Sequence, residues 1–329
     1  GNDAGIIGAA MLGRVMGENK GGPCMDWVTQ FDKQMKDYLP DMEVLREESM
    51  AKHTSFRVGG PAKRMAFPEQ GEQLVLLLSM ARDCGARPLV IGNGTNLLVP
   101  DEGLDRLVIA TGRMQKLETQ GEPKHMVAAA GVPLAKLADY ACKLGSTGLE
   151  FAHGIPGTVG GGLYMNAGAY GGEMSQVILG ASVLLPEEGL RHLSQEKLDF
   201  GYRRSFLSDH PDAVVLYVQF RLTPGSPETI RETMRDLMAR RKASQPLEWP
   251  SGGSTFKRPE GHFAGTLIDQ CGLKGLTVGG AQVSEKHAGF LINRGGATCA
   301  DVKELIRQVQ ELVFEKTGVR LEPEVKFVE

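Results

Sequence analysis

The chain has 329 residues, of which 41% are hydrophobic, and its formal net charge is −3 at pH 7. This length allows two or three domains with cores of their own, and the near balance of charge argues against nucleic acid as a partner. The apolar run over residues 74–78, like every other in the sequence, is far too short to span a membrane. The five cysteines lack CxxC spacing, so we expect no zinc site, no disulfide framework and a reducing cytoplasm.

The N-terminal part of the chain divides into an extension and a first set of elements. Residues 1–24 are rich in Gly, Ala and Met without the apolar core of a secretory signal, so we expect an extension outside the fold. Apolar spacing predicts helices over residues 26–38 and 74–84. A buried strand is expected over residues 88–92, and it runs into a Gly/Asn loop.

The middle of the chain is predicted to be richer in strands. Short apolar strands are expected over residues 107–110 and 126–130, followed by a helix over residues 134–144. From residue 177 to residue 222, short apolar runs alternate with turn residues, which predicts a β-meander.

The C-terminal part begins after a Pro/Gly/Ser boundary. Pro227 is well placed at the first position of a helix, with Ser226 as its N-cap. A final helix is predicted from a capping box at Thr298 and Asp301 to a stop at Gly318. Residues 319–328 then read as a last strand.

Two glycine-rich loops are the most informative features. Residues 92–96 read Gly-Asn-Gly-Thr-Asn, and residues 154–162 with 166–169 form a denser cluster. Glycine lets the main chain approach a ligand closely, and successive backbone N–H groups can hold a pyrophosphate. Either loop alone is more typical of tight turns, but the two together favour a dinucleotide. Neither loop contains GK[ST], and Leu97 replaces the third glycine of a Rossmann fingerprint.

Two polar stretches carry candidate substrate ligands. Residues 200–205 contain Arg203, whose planar guanidinium can pair with a carboxylate or phosphate, although a solvated turn explains this stretch alone. Residues 251–257 place Ser254 after small residues that would leave its hydroxyl open to a ligand, and Lys257 could hold phosphate. A plain polar loop explains the second stretch equally well.

The third polar stretch is acidic. In a strand over residues 321–327, Glu322 and Glu324 share one face. A carboxyl group held near an apolar cofactor can have a raised pKa and act as an acid. The alternative is an exposed edge strand with alternating charge, which the stretch alone favours.

These stretches, in this order, resemble the UDP-N-acetylenolpyruvoylglucosamine reductase family from about His53 to Phe327. Any one motif is weak, but their number and order make the set specific. The supporting matches are residues 53–62 (HTSFRVGGPA), 130–134 (AGVPL), 264–268 (AGTLI), 272–275 (GLKG) and 283–287 (VSEKH).

The resemblance implies an α+β fold. It comprises a FAD-binding domain of the vanillyl-alcohol-oxidase (PCMH) type and a C-terminal α/β substrate-binding domain. The FAD-binding region would cover residues 25–223, as two subdomains split near residue 98. The substrate domain would cover residues 224–329, and its last strand, 319–329, would return to the active site.

The resemblance also implies noncovalent FAD, since nothing in it assigns His153 a flavin linkage. The matching cofactor residues are Arg57, Gly92, Asn93, Gly94, Thr95, Asn96, Leu97, Gly154, Ile155, Pro156, Gly157, Thr158, Gly160, Gly161, Asn166, Gly168 and Ala169.

A catalytic trio follows from the same resemblance. Arg203 would hold the enolpyruvyl carboxylate, Ser254 would donate a proton, and Glu324 would be the catalytic glutamate. The span between Arg203 and Ser254 leaves no room for the tyrosine-bearing loop of the longer family type, so the chain resembles the shorter type. The implied substrate-binding residues are Tyr202, Arg203, Gly253, Lys257, Arg258 and His287.

The implied activity is NADPH-dependent reduction, through FAD, of a UDP-N-acetylglucosamine enolpyruvate to UDP-N-acetylmuramate. Two alternatives remain open at this point. Another flavin oxidase or dehydrogenase of the same fold, acting on an alcohol or sugar lactone, would share the glycine loops. A sugar-nucleotide-binding protein without redox chemistry would explain Lys257 and Arg258 but not those loops.

Overall fold

The computed structural model describes residues 26–328, so the extension predicted over residues 1–24 lies outside the described residues. The α-helices of this range are α1 (Trp27–Tyr38), α2 (Gly71–Asp83), α3 (Leu134–Lys143), α4 (Val159–Tyr164), α5 (Phe206–Asp209), α6 (Pro227–Ser244), α7 (Ala264–Gln270) and α8 (Cys299–Thr317). Short 3-10 helices lie at Met50–Lys52, Thr111–Arg113, Glu150–Ala152 and Met174–Gln176.

Many of the strands are short. They are β1 (Val44–Ser49), β2 (Pro61–Ala66), β3 (Pro88–Ile91), β4 (Leu97–Leu98), β5 (Leu104–Ala110), β6 (Leu117–Gln120), β7 (Glu122–Ala129), β8 (Ser146–Thr147), β9 (Gly168–Ala169), β10 (Gly172–Glu173), β11 (Ile178–Leu185), β12 (Gly189–Ser194), β13 (Val214–Arg221), β14 (Thr223–Pro224), β15 (Ser251–Ser254), β16 (Thr277–Val278), β17 (Ala281–Val283), β18 (Phe290–Asn293) and β19 (Lys326–Phe327).

The described chain forms two compact units, each built from three segments. The first unit contains residues 26–46, 63–92 and 106–234, and the second contains residues 47–62, 93–105 and 235–328. The division into residues 25–223 and 224–329, with a split near residue 98, stays a prediction.

The first unit is built around an antiparallel sheet of order β12-β11-β13-β7-β6. The meander predicted over residues 177–222 is wrong in its connection, because β13 pairs with β11 rather than with β12. Alternation along a strand reports which face is buried but not which neighbour it pairs with. A second sheet has the order β1-β2-β5-β3, with β3 and β5 parallel and Ile91 opposite Ala110.

The core of the first unit confirms the helices predicted there. Phe31 and Met35 of α1 are buried, and the Asp26 side chain caps this helix by accepting a hydrogen bond from the backbone N–H of Thr29 at 2.9 Å. Buried residues of α2, α3, β5 and β13 complete one hydrophobic cluster: Leu74, Leu77, Met80, Leu107, Ile109, Leu134, Leu137, Val218 and Phe220.

The second unit pairs a small sheet with a long helix. The sheet has the antiparallel order β15-β18-β17-β16, and α8 packs on β16 and β17. The predicted capping box of α8 is confirmed at Thr298 and Asp301, and Gly318 ends the helix with φ of 73°. Its predicted apolar stripe is also confirmed, since each member is buried: Val302, Leu305, Ile306, Val309 and Val313.

The last segment corrects an expectation. A continuous strand over residues 319–328 is wrong, because β19 pairs with β4 over two residues only and Pro323 makes an isolated bridge to Phe256. Proline has no N–H to donate to a ladder, so it interrupts regular pairing. Glu322 is exposed and Glu324 is half-buried, so the two glutamates do not share a strand face.

Among the described residues, no helix is both long and apolar enough to cross a bilayer. The same residues contain no cluster of three or more His, Cys, Asp or Glu side chains arranged to hold a metal ion.

Candidate functional site

The second unit joins three segments that the sequence singles out. The Ser55 hydroxyl lies 2.6 Å from the carbonyl oxygen of Ser251 and 3.2 Å from that of Thr95. Ser55 belongs to the HTSFR stretch, Thr95 to the first glycine loop and Ser251 to the stretch that leads to Ser254. One small side chain therefore positions the glycine loop beside β15.

The C-terminal glutamate is tied to the same place. The backbone N–H of Glu324 donates to the carbonyl of Thr255 at 2.7 Å, so Glu324 lies next to the residue that follows Ser254. Asn96 Nδ2 donates to the Glu324 carbonyl at 3.1 Å. The first glycine loop, Ser254 and Glu324 thus meet within one unit, although they are about 70 to 230 residues apart in sequence.

Two glycines give Ser254 its exposed position. A Cβ at Gly252 would lie 2.5 Å from the Phe56 ring, and Gly253 has φ of 79°, which a residue with a side chain rarely adopts. Ser254 itself is exposed, and its hydroxyl makes a 3.3 Å contact with the Phe256 carbonyl. Its hydroxyl is therefore available to a ligand.

The first glycine loop has uncommitted donors. Among residues 26–328, no hydrogen bond is formed by the backbone N–H groups of Asn93, Gly94 or Thr95. Gly94 has φ of 58°, and a Cβ there would lie 2.0 Å from the His53 carbonyl oxygen. Three successive free N–H groups on a fixed loop suit an anionic ligand such as a pyrophosphate.

The second glycine loop, in the first unit, has the same property. Within the described chain, the backbone N–H groups of Gly157 and Thr158 donate no hydrogen bond. Thr158 Oγ1 accepts from the N–H of Gly161 at 3.4 Å and thereby caps α4. A Cβ at Gly92 would lie 2.2 Å from Thr158 Oγ1, so Gly92 lets the end of β3 contact this loop.

The remaining predicted cofactor residues are divided between the two units. Gly154, Ile155 and Pro156 precede α4, which contains Gly160 and Gly161. Leu97 lies in β4, in the second unit, and Ala169 lies in β9, in the first.

An unusual backbone positions the predicted carboxylate ligand. Arg203 has φ of 54°, and its Nη2 donates to the Gly168 carbonyl at 3.0 Å. Asn166 has φ of 42° and is buried, with Nδ2 donating to the Gly201 carbonyl at 3.0 Å and Oδ1 accepting from the Ser175 N–H at 2.9 Å. The Asn166 side chain therefore joins the β9 region to the turn that carries Arg203.

Left-handed backbone is concentrated at predicted site residues. Half of the described non-glycine residues with positive φ are in the predicted set: Arg57, Asn166 and Arg203, whereas Glu47, Tyr170 and Asp199 are not. Such conformations cost about 1–2 kcal/mol for a residue with a Cβ, so they persist where the surrounding structure fixes them.

The predicted substrate ligands lie on both units. In the first, Tyr202 is 52% exposed, and the Arg203 guanidinium lies 5.1 Å from its ring centroid. In the second, Lys257 forms an ion pair with Glu322, and the Arg258 guanidinium lies 4.0 Å from the centroid of the exposed Phe263 ring.

His287 is held in one orientation. Its Nδ1 accepts a hydrogen bond from the Gly289 N–H at 3.1 Å, and its ring meets Phe290 edge-on at 4.9 Å. Burial lowers the pKa of His287, with a smaller contribution from the charge of Lys274. The ring is therefore a neutral donor through Nε2 near pH 7.

Sequence reasoning did not identify the residues that assemble the site. The Ser55 hydroxyl and the Thr255 carbonyl form hydrogen bonds that hold the stretches carrying Ser254 and Glu324. Thr158, a predicted cofactor residue, caps α4 through its hydroxyl. Arg57, predicted as a cofactor residue, is exposed in the second unit. The HTSFR stretch draws attention to Ser55 in the sequence. Nothing in the sequence indicates that Ser55 contacts residues far away along the chain.

Comparison with known proteins identifies the family of the chain. Residues 62–194 match a family model described as FAD binding domain, and residues 245–328 match the C-terminal domain model of UDP-N-acetylenolpyruvoylglucosamine reductase. The UDP-N-acetylenolpyruvoylglucosamine reductase of Agathobacter rectalis is 46% identical over 309 residues, which cover 91% of this chain and 98% of the relative. That of Levilactobacillus brevis is 47% identical over 290 residues, covering 88% and 94%.

A solved structure supports the same assignment. The crystal structure of the enzyme from Thermus caldophilus superimposes with a TM-score of 0.75 at 37% identity, covering 88% of this chain and all of that one. The expected α+β fold with a FAD-binding domain of the vanillyl-alcohol-oxidase type is confirmed, as is FAD as the cofactor. The chain belongs to the UDP-N-acetylenolpyruvoylglucosamine reductase family.

Proposed function

We propose that the chain reduces UDP-N-acetyl-3-O-(1-carboxyvinyl)-glucosamine to UDP-N-acetylmuramate for peptidoglycan precursor synthesis, with NADPH as the reductant. One observation carries the proposal. The hydrogen bond from the Glu324 N–H to the Thr255 carbonyl, at 2.7 Å, places a carboxyl-bearing residue beside the exposed Ser254. Asn96, which follows the three free donors of the first glycine loop, holds the Glu324 carbonyl at 3.1 Å.

The free backbone donors fit the pyrophosphate of FAD. Those of Asn93, Gly94 and Thr95 in the second unit would suit a phosphate group, and so would those of Gly157 and Thr158 in the first. Bound FAD would supply the hydride chemistry, which no side chain can supply. Because the Asn166 side chain is committed to Gly201 and Ser175, its contribution to this site would be indirect.

Arg203 would orient the substrate through its carboxylate. The carbonyl oxygens of Asn166 and Gly168 accept hydrogen bonds from the Arg203 guanidinium, at 3.4 and 3.0 Å, and limit its freedom. A guanidinium can pair with a carboxylate through two parallel hydrogen bonds. Charge that develops next to that carboxylate during reduction would be stabilised by the same pair.

Ser254 would donate a proton to the substrate carbon adjacent to the carboxylate. A serine is a weak acid, so it must lie close to that carbon and be supported by a neighbouring polar group. Glu324, whose N–H donates to the carbonyl of the neighbouring Thr255, is a candidate for that group, and in its protonated form it would stabilise the same developing charge.

The sugar nucleotide would be bound mainly by cationic and aromatic side chains. Lys257 and Arg258 offer positive charge for the diphosphate, and His287 offers a neutral N–H donor in a fixed orientation. Tyr202 and the main chain at Gly253 would complete the contacts from the exposed surface.

The decisive experiment follows the flavin absorption band under anaerobic conditions. NADPH should bleach the band, and the enolpyruvyl sugar nucleotide should restore it with formation of UDP-N-acetylmuramate. Reoxidation by an alcohol-derived carbonyl or a lactone, but not by the sugar nucleotide, would favour a different flavin enzyme of this fold. A preparation without flavin absorption would exclude redox chemistry through FAD.

A second measurement tests how FAD is held. Acid precipitation should release all of the flavin into the supernatant, because noncovalent binding is expected.

The substitution Arg57→Ala should lower FAD occupancy more than it lowers turnover of the flavin-loaded fraction. The reverse pattern would move Arg57 from the cofactor site into the reaction.

A further inference from the structure

Phe263 is an exposed aromatic residue beside the predicted substrate ligands of the second unit. It is 59% exposed, more than any other large hydrophobic residue that the structure describes, and it immediately precedes α7. The Arg258 guanidinium lies over its ring, 4.0 Å from the centroid. One face of the ring is therefore covered by a cation, and the opposite face is open to solvent.

Close backbone contacts place the start of α7 near Ser254. In the first turn of this helix, a Cβ at Gly265 would lie 3.1 Å from His287 Cε1 and 3.3 Å from the Gly289 nitrogen. The Gly289 carbonyl in turn accepts a hydrogen bond from the N–H of Thr255 at 2.9 Å. The start of α7 therefore lies against the segment that pairs with the residue after Ser254.

Arg258 connects the ring with the phosphate groups of the proposed substrate. Stacking uses the face of a guanidinium, whereas hydrogen bonds to phosphate use its edge, so one arginine can serve both. Ser254 and Arg258 are four residues apart, which limits the distance between their Cα atoms to about 14 Å. An extended nucleoside diphosphate spans a similar distance. A substrate with its enolpyruvyl group at Ser254 and its diphosphate at Arg258 would therefore bring its base to Phe263.

Two other aromatic rings of the second unit also lie under arginines. The Arg294 guanidinium is 4.0 Å from the centroid of the half-buried Trp249 ring. That of Arg320 is 4.3 Å from the centroid of Phe314, which is 40% exposed on α8. Phe263 differs from both because it is more exposed and because its arginine is a predicted substrate ligand.

A pyrimidine base is the part of the proposed substrate that suits this ring. Bases stack on aromatic side chains through their π faces, whatever their hydrogen-bonding edges. We propose that the Phe263 ring, with the Arg258 guanidinium behind it, stacks on the uracil base of the sugar nucleotide. The inference rests on the proposed function and adds to it a residue outside the set predicted from sequence. It assigns base and diphosphate recognition to one stretch, residues 257–263.

The test measures binding of two nucleotides to the full-length, FAD-loaded chain by calorimetry. UDP has a planar base, whereas the diphosphate of dihydrouridine has a saturated, puckered base on the same ribose and phosphates. Wild type should bind UDP roughly tenfold more tightly, the scale of one base–aromatic stack. Phe263→Leu keeps an apolar side chain without a ring, so it should weaken UDP alone and remove this preference. Phe263→Tyr keeps the ring and should retain the preference.

The matched control is Phe314→Leu, which removes another exposed ring that lies under an arginine. It should change the affinity for neither nucleotide. In turnover, Phe263→Leu should raise KM for the enolpyruvyl substrate by about the same factor as it weakens UDP, because the base is remote from the reacting carbon.

Two results would overturn the inference. One is an unchanged preference for UDP in Phe263→Leu, which would place the base elsewhere. The other is equal weakening of both nucleotides, which would mean that the ring only positions Arg258 for the phosphates. A wild-type chain that binds neither nucleotide and does not reduce the enolpyruvyl sugar nucleotide would instead refute the proposed function itself, so the two failures are distinguishable.

Discussion

The two units present their candidate site residues by different means. In the first unit, Asn166 and Arg203 adopt left-handed backbone, with φ of 42° and 54°, and the Arg203 guanidinium is held by carbonyl oxygens. In the second unit, neither Ser254 nor Glu324 has positive φ. Their positions depend on hydrogen bonds between distant segments, such as the contact of Ser55 with Ser251, 196 residues away.

This difference determines which substitutions should disturb the site residues of each unit. A left-handed residue is positioned by its own backbone, so glycine preserves the conformation while removing the side chain. A residue positioned by long-range hydrogen bonds can be displaced by a substitution elsewhere. We therefore expect the first unit to tolerate a function-removing change at Arg203 without losing stability, and the second to show its largest effects at the reacting groups.

The largest effect is expected at Ser254. Ser254→Ala should leave bleaching of the flavin by NADPH near the wild-type rate, since that step needs no proton from this serine. Reoxidation by the enolpyruvyl substrate should slow by roughly 10²-fold or more, the scale for a positioned acid. Stopped-flow measurement of the two half-reactions separates these outcomes.

Two variants sharpen the Ser254 result. Ser254→Cys should recover part of the loss, because a thiol can still donate a proton. Ser182→Ala, a hydroxyl removed from β11 in the first unit, should leave both half-reactions unchanged. If both half-reactions remain intact in Ser254→Ala, the serine has no catalytic role and its glycine-containing stretch serves only as a scaffold.

A smaller effect with the same selectivity is expected at Glu324. Glu324→Gln should slow reoxidation by the substrate by about 10- to 100-fold, because its carboxyl acts on the same developing charge. Reduction by NADPH should be unaffected. Glu315→Gln, at an exposed position of α8, is the matched control. A uniform slowing of both half-reactions would mean that Glu324 supports the flavin site rather than the reaction.

Arg203 tests the contribution of the left-handed backbone. Arg203→Lys should raise KM for the enolpyruvyl substrate by about tenfold, because an ammonium cannot pair bidentately with a carboxylate. Arg203→Gly should lower kcat/KM further while Tm stays equal or rises, since glycine relieves the backbone strain.

The neighbouring Arg204 provides the control for Arg203. It is paired with Asp199 and Asp209 at 3.0 and 2.8 Å, so Arg204→Lys should leave KM unchanged. A marked fall in Tm for Arg203→Gly would show that its backbone is not strained and that the guanidinium holds the fold. The contrast between the two units would then disappear.

The sequence predicted best what is determined locally. The capping box and stop of α8 and its buried stripe were readable because each depends on residues within a few positions. The pairing partners of strands were not readable from the sequence. Alternation in β11, β12 and β13 could not reveal that β13 lies beside β11. Alternating side chains predict a longer last strand than β19, because they do not reflect that Pro323 cannot donate to a ladder.

The same distinction between local and long-range features applies to the candidate site. Composition identified both glycine loops, because free backbone donors require residues that tolerate close approach. Nothing in the sequence indicates the left-handed backbone of Arg203, since arginine is not typical of that conformation. The contacts of Ser55, Asn96 and Thr255 join segments brought together only by folding, so spacing in the sequence could not show them.

The smallest expected effect concerns stability away from the site, in the first unit. The buried Arg64 guanidinium pairs bidentately with Asp32, both contacts at 2.7 Å, and holds the pKa of this carboxyl below its ordinary value. A lowered pKa means that the pair stabilises the fold above the unfolded pKa, and that this contribution is lost as pH falls through the folded pKa.

Asp32→Asn should therefore reduce the free energy of unfolding by about 1–2 kcal/mol at pH 7. The difference from wild type should shrink below about pH 4. Denaturant titrations at several pH values measure this difference, with the exposed Asp37→Asn as control. A pH-independent difference would assign the effect to packing instead of charge. Altered half-reaction rates in Asp32→Asn would instead connect the Asp32–Arg64 pair to the reaction.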